Sequence, residues 1–110
     1  MAKFIKGDVV VLPFPFSDLT HAKRRPAFVL VVLPGDDIIL CQITSRDIKD
    51  EFAVKLKTED FKEDSLPIES NIRPNRLFTA DRHIILYKVG HLNPYKVDEV
   101  VAKIIDIIRR

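Results

Sequence analysis

His21, Lys23, Arg24 and Arg25 place three formal positive charges and a histidine within five positions, just before an apolar run. An arginine at the root of a rigid strand can meet charge as it develops on a reacting anion, because the donor is already aimed. Pro26 fixes the backbone beside the Arg25 guanidinium, which makes this pair the most interesting of the group. The same residues also fit a solvated basic loop. Gln42-Ile43-Thr44-Ser45-Arg46 is the second candidate. Polar residues closing an apolar strand set hydroxyls at a sheet rim, where a phosphate could accept from them. The alternative is a hydroxyl-rich strand end leading into a turn. Arg73 and Arg76, around Pro74-Asn75, form a third basic site, or else lie over apolar neighbours as surface side chains. Thr79 and Asp81 suit the bracing of nearby loops.

The elements that must position these residues are mostly strands. Residues 9–12 are a β-branched run that ends at Pro13-Phe14-Pro15, where amide donors are missing. Residues 17–25 read as an exposed loop. Residues 27–33 are almost continuously apolar, as in a strand covered on both faces. Pro34-Gly35-Asp36-Asp37 is a turn, followed by a further apolar run over 38–43. Residues 52–56 alternate and predict a half-buried strand. The acidic stretch 58–65 predicts a loop with a helical turn around Phe61. Residues 70–72 and 77–80 predict short strands bracketing residues 73–76, and 84–89 one more, closed by Gly90.

The period then changes. Val97, Val100, Val101, Ile104, Ile105 and Ile108 share one helical face, with Lys96, Asp98, Glu99, Lys103 and Asp106 mainly elsewhere. Asn93 suits the N-cap, Pro94 the first helical position, and Arg109-Arg110 the C-terminal end of the dipole. Short strands plus one terminal helix predict a compact barrel with a helix packed on it.

At 110 residues the chain fits one domain, and a net charge of +2 is too small to indicate a nucleic-acid partner by itself. A lone cysteine, Cys41, excludes an internal disulfide and suits a reducing compartment; its mid-strand position reads as a small buried apolar residue. With no charged-then-apolar leader and no apolar run near the roughly 20 residues that span a bilayer, a soluble cytoplasmic protein with no membrane association is expected. His21, His83 and His91 have no ligand spacing with one another, with Cys41 or with carboxylates, so no metal is expected. There is no glycine-rich phosphate loop and no Gly-x-Ser-x-Gly elbow. Phe14, Phe16 and Phe28 could stack bases, although Phe28 reads as core.

Four segments resemble the PemK/MazF family of bacterial toxin endoribonucleases. They are Gly7-Asp8-Val9-Val10, Arg24-Arg25-Pro26-Ala27, Gln42-Ile43-Thr44-Ser45 and Leu77-Phe78-Thr79-Ala80-Asp81, in that order and followed by a terminal helix. The resemblance runs over nearly the whole chain and implies a single PemK/MazF-like domain over residues 1–110. It implies an SH3-like β-barrel with a C-terminal α-helix that forms homodimers. Such a protein cleaves single-stranded RNA, often messenger RNA, at short sequences without a cofactor or metal, leaving 2′,3′-cyclic phosphate and 5′-hydroxyl ends. A cognate antitoxin blocks the RNA groove with an extended acidic and apolar tail.

Carried over residue by residue, the catalytic arginine falls on Arg25 and the catalytic hydroxyl on Thr44, with Ser45 as its substitute. Lys23, Arg24, Gln42, Arg46, Arg73, Asn75 and Arg76 are then expected to contact RNA. Two departures stand out. The loop segment of Gly-x-Glu-Gln type is replaced by Ser17-Asp18-Leu19-Thr20-His21-Ala22-Lys23, and the Arg-x-Asp pair of some relatives reads Arg73-Pro74-Asn75. An amide is a poor base; His21, with an unperturbed pKa of about 6.5, could take that part. The changed residues favour one alternative, a noncatalytic SH3-like module binding RNA or protein; a third reading, a toxin of the same fold that inhibits gyrase, has the Arg25 and Thr44 matches against it.

Overall fold

A computed structural model describes residues 3–14 and 23–110. Its strands are β1 (Asp8–Phe14), β2 (Lys23–Val32), β3 (Asp37–Thr44), β4 (Val54–Leu56), β5 (Phe61–Glu63), β6 (Ser70–Asp81) and β7 (Tyr87–Leu92), and the chain closes with helix α1 (Pro94–Ile108). The strands form one antiparallel sheet in the order β4-β6-β3-β2-β1-β7-β5, curled into a half-barrel as the SH3-like expectation required.

The near-absence of polar alternation in β1 to β3 has a direct cause: both faces of the sheet are buried. Val9, Phe28, Cys41 and Ile43 point into one core with Ile72, Leu92 and the α1 residues Val100 and Ile104. Their strand neighbours Val10, Leu12, Ala27, Val29, Ile38 and Leu40 point into a second core, closed by Phe14, Ala80 and Ile85. The helix covers the first core; the curl of the sheet encloses the second.

Several element boundaries differ from the sequence expectation. β1 continues through Pro13 to Phe14, paired with β2 there, while its pairing with β7 among the described residues stops at Val11, so a missing N–H at Pro13 costs that ladder nothing. β2 starts at Lys23, so Arg24 and Arg25 lie on a strand and not in a loop. β4 starts only at Val54, since the Asp50 carboxylate accepts from the amides of Phe52 (3.0 Å) and Ala53 (2.8 Å) and folds them into a turn. The helical turn is Thr58–Asp60, and Phe61 opens β5 against Leu92. The Asp81 side chain caps a second short turn, Arg82–Ile84, by accepting from the His83 amide (2.8 Å), which delays β7 to Tyr87. Gly90 does not close that strand. Its missing side chain lets β5 lie against it: a Cβ there would run into the Glu63 carbonyl oxygen and the Phe61 ring.

Helix α1 has its expected span, with three exceptions in detail. Asn93 starts it through its carbonyl, which accepts from Lys96 and Val97, while its side chain donates to the Glu59 carbonyl (3.1 Å) and does not cap. Lys96, expected on the polar face, is buried. Its ammonium is compensated by the Lys55 carbonyl (2.9 Å), Glu99 (2.9 Å) and Asp60 (3.5 Å), so the helix is clamped to the Thr58–Asp60 turn. Ile105 and Ile108, expected on the packed face, are 43% and 70% exposed, since the core beneath α1 ends at Ile104. Asp8 is fully buried and bonded to the Ile5 amide (2.9 Å) and His91 Nδ1 (2.8 Å), which explains the Gly7-Asp8 pair: Gly7, at φ +98°, packs its bare Cα against the same imidazole.

Gly90→Ala should therefore lower stability by about 1–3 kcal/mol through overpacking, read as a shifted denaturant midpoint with unchanged slope. The pH dependence has a sign as well. Desolvation raises the Asp60 carboxyl, but the Lys57 amide, the Tyr95 hydroxyl and Lys96 outweigh it and hold the group below the ordinary aspartate range. A carboxyl lowered on folding adds stability that is full above its unfolded pKa of about 3.9 and is lost as pH falls through the folded value. The melting temperature should drop below about pH 4, and less steeply in Asp60→Asn.

Candidate active site

The strands that carry the candidate residues part company at one place. β2 pairs with β3 from Ala27↔Gln42 onward, away from the β2 start, so among the described residues positions 23–26 pair only with β1. On the other flank, Ile43 and Thr44 pair only with Ile72 and Asn71 of β6. Pro26 stands at the divergence, where a residue without an N–H costs the β3 ladder nothing. The gap between the splayed strand ends is the site.

Two adjoining cavities open there. The first, about 280 Å³, is lined by Phe14, Arg25, Gln42, Ile43, Thr44, Arg46, Ile48 and Arg73. The second, about 240 Å³, shares Arg25, Ile43 and Thr44 and adds Arg24, Pro26, Ser45 and the segment Leu66, Pro67, Ile68 with Ser70. Arg25 and Thr44, 19 positions apart in the chain, thus line both cavities. Three guanidiniums and no carboxylate line the first cavity among the described residues, a lining whose charge suits an anion. Thr44 Oγ1 accepts from the Arg46 amide (3.2 Å), which orients the hydroxyl and leaves its proton free to be donated. Asn71, buried beneath the same turn, donates to the Arg46 carbonyl (3.0 Å).

Arg73 reaches the cavity through an irregularity. Leu77 is the partner of Cys41, but Arg73 is the partner of Gln42, so Pro74, Asn75 and Arg76 are extra residues in one continuous β6. The two short strands expected from the sequence are this single strand with its bulge. Arg73 Nη2 donates to Asp50 Oδ2 (3.3 Å), while its Nε is buried without an acceptor among the described residues. Desolvation raises the Asp50 carboxyl, yet the amides of Ala53 and Phe52 and the Arg73 guanidinium outweigh that and hold it below its usual range.

The sequence candidates are therefore brought together unequally. Arg25, Thr44, Gln42, Arg46 and Arg73 share the first cavity, and Arg24 and Ser45 join at the second. Lys23, Asn75 and Arg76 are exposed and line neither cavity. His21 and Phe16 lie outside the described residues. Phe28 is core, as expected, and Phe14 is buried edge-on to Phe78 (5.1 Å) while contributing to the cavity wall. Sequence reasoning missed Ile48, Asp50, Leu66 and Asn71, none of which carries a spacing signal. It also missed that Asp36, Asp81 and His83 bring ligand-type atoms within 4.8 Å of one another. These exposed groups already serve each other: His83 Nδ1 bonds Asp81 (2.7 Å), and Arg82 pairs with Asp36 (3.2 Å).

A sequence model of the family described as PemK-like, MazF-like toxin of type II toxin-antitoxin system matches residues 5–108. The chain belongs to that family. Solved structures of the same fold include MazF from Deinococcus radiodurans, 21% identical, with a TM-score of 0.78 and all of both chains covered. An endoribonuclease in complex with its cognate antitoxin, from a Mycobacterial species, has a TM-score of 0.78 at 10% identity, covering 97% of this chain and 96% of that one. The Mycobacterium tuberculosis toxin MazF-mt6 has a TM-score of 0.74 at 12% identity, covering 93% and 96%. No curated protein sequence matches significantly. The PemK/MazF fold thus carries a candidate site whose cations come from the start of β2, the connection after β3 and the register break of β6.

Cys41 takes no part in that site. Burial pushes its thiol up to about 12, and it sits fully enclosed in β3. It should resist a thiol-specific disulfide reagent in the native protein and react stoichiometrically once denaturant unfolds the chain.

Proposed function

We propose that this protein is an endoribonuclease, the toxin of a type II toxin-antitoxin system, cutting single-stranded RNA such as messenger RNA without a metal. The observation that carries the reading is the convergence of Arg25 and Thr44, from two strands, on a cavity whose other polar lining includes Arg46 and Arg73. The chemistry matches those groups. The ribose 2′-oxygen attacks the adjacent phosphorus, the P–O5′ bond breaks, and a 2′,3′-cyclic phosphate and a 5′-hydroxyl result. Charge gathers on the non-bridging oxygens in between, where paired donors from Arg25, one from Thr44 and the charge of Arg46 and Arg73 stabilise it. Guanidiniums supply the positive charge, so the proposal includes no metal or cofactor. The 2′-hydroxyl is its own nucleophile, and the protein has only to align it and move protons. His21 is the candidate base, and Ser45 can replace Thr44 as donor.

The second cavity supports a further part of the reading. Its Leu66, Pro67 and Ile68 make an apolar side next to Arg24 and Arg25. An extended antitoxin segment with both acidic and apolar side chains fits that combination and would compete with RNA. We include in the proposal a homodimer acting in the cytoplasm, with Lys23, Asn75 and Arg76 touching the RNA away from the cut. No helix among the described residues is long and apolar enough to cross a membrane. Among the described residues no carboxylate lines the first cavity, which also favours a second reading, a module that binds RNA without cutting it.

Incubation of the pure protein with mixed RNA in EDTA separates the readings. Cyclic-phosphate ends should form, and Arg25→Ala or Thr44→Ala should slow their formation roughly 10²- to 10³-fold. RNA bound yet intact would support the module instead. Affinity for RNA should fall by about 0.7 log units per log unit of salt for each phosphate neutralised; a salt-independent affinity would count against this groove.

A further inference from the structure

The Asp50 carboxylate divides its two oxygens between two tasks. Oδ1 accepts from the amides of Phe52 (3.0 Å) and Ala53 (2.8 Å), which closes the turn ahead of β4. Oδ2 accepts from Arg73 Nη2 at 3.3 Å, across 23 positions of sequence. The Arg73 side chain is largely covered, at 19% exposure, and lines the cavity that holds Arg25 and Thr44. Its Nε is buried with no acceptor among the described residues, although one Nη is held by Asp50. Folded proteins seldom leave such a donor unpaired, and a ligand oxygen is one partner that would satisfy it.

We propose that Asp50 is a positioning residue: it grips one corner of the Arg73 guanidinium so that the Nε side is presented to a non-bridging phosphate oxygen of RNA. This rests on the endoribonuclease reading above and deepens it. A guanidinium is a planar fork, so fixing one nitrogen fixes the direction of the rest. The need for such a grip is local. Arg73 stands at the register break, and Pro74-Asn75-Arg76 immediately after it is looped out of the ladder. Position 75, two residues on, carries an amide and not a carboxylate. The carboxylate comes instead from the connection between β3 and β4, the same connection that Thr44, Ser45 and Arg46 lead into. Hydroxyl donor and arginine anchor are thus set by one segment.

The separate use of the two oxygens gives a clean test. Asp50→Asn keeps an oxygen for the Phe52 and Ala53 amides but turns an NH2 toward Arg73. Its melting temperature should stay near that of the wild type. Its kcat on RNA in EDTA should fall roughly 10- to 100-fold with a smaller change in KM, as a misaligned donor does. Arg73→Ala should fall at least as far, and Asp50→Asn should add nothing in that background, which a turn brace alone would not produce. Arg73→Lys leaves the turn untouched and has no Nε donor, so it should show the same loss even if Asp50→Asn folds poorly. Wild-type rates in Asp50→Asn, or losses that add to those of Arg73→Ala, overturn the inference and leave the endoribonuclease reading standing. If the wild type cuts nothing, that reading fails. Binding of a 2′-O-methyl RNA oligonucleotide then decides Asp50: losses shared by Asp50→Asn and Arg73→Ala support its grip on Arg73, and independent losses or none refute it.

Discussion

Burial of both faces of one curled sheet governs the rest of this structure. Alternate residues of β1, β2 and β3 enter different cores, so neither parity of these strands can carry a polar side chain along most of its length. Polar chemistry is admitted where a ladder stops or is interrupted. β2 and β3 separate at Ala27 and Gln42, and the gap leaves Arg25 on one side and Thr44 on the other. Pro26, which could not donate to a ladder, stands where the ladder has stopped. Packing and site are in this sense one decision.

Buried charge elsewhere in the molecule is matched. Asp8 has His91 and, at 3.6 Å, Lys88; Asp60 has Lys96 and the Tyr95 hydroxyl at 2.7 Å. These pairs fasten β1 to β7 and α1 to the turn before β5. The cavity follows another rule. Arg25 and Arg46 have no carboxylate partner among the described residues, and Arg73 shares only part of its guanidinium with Asp50. Cations left uncompensated in a lined concavity raise local anion concentration, whereas compensated ones mainly hold elements together.

The same burial rule explains how structures only 10–21% identical share this fold with TM-scores of 0.74–0.78. Two cores filled from alternate positions ask for apolar side chains of suitable volume and not for particular ones. Loops and bulges are free of that demand. One such bulge, in β6, carries Asn75.

Local patterns were enough to read the mostly-strand class, the terminal helix, the inert Cys41 and the Arg25-Pro26 and Thr44-Ser45 candidates. Each of these rests on neighbours within a few residues, through apolar runs, a change of period or a proline beside a charge. Only the tertiary structure could place Arg24 and Arg25 on a strand, join residues 70–72 and 77–80 into β6, bury Lys96 and pair Arg73 with Asp50. Those outcomes depend on partners far away in sequence: β1 supplies the ladder for Lys23–Pro26, β3 shows where the bulge falls, and Asp60 makes an ammonium tolerable inside. Side-chain pattern reports which face is apolar, but strand ends, bulges and buried charges are settled by what lies across the fold.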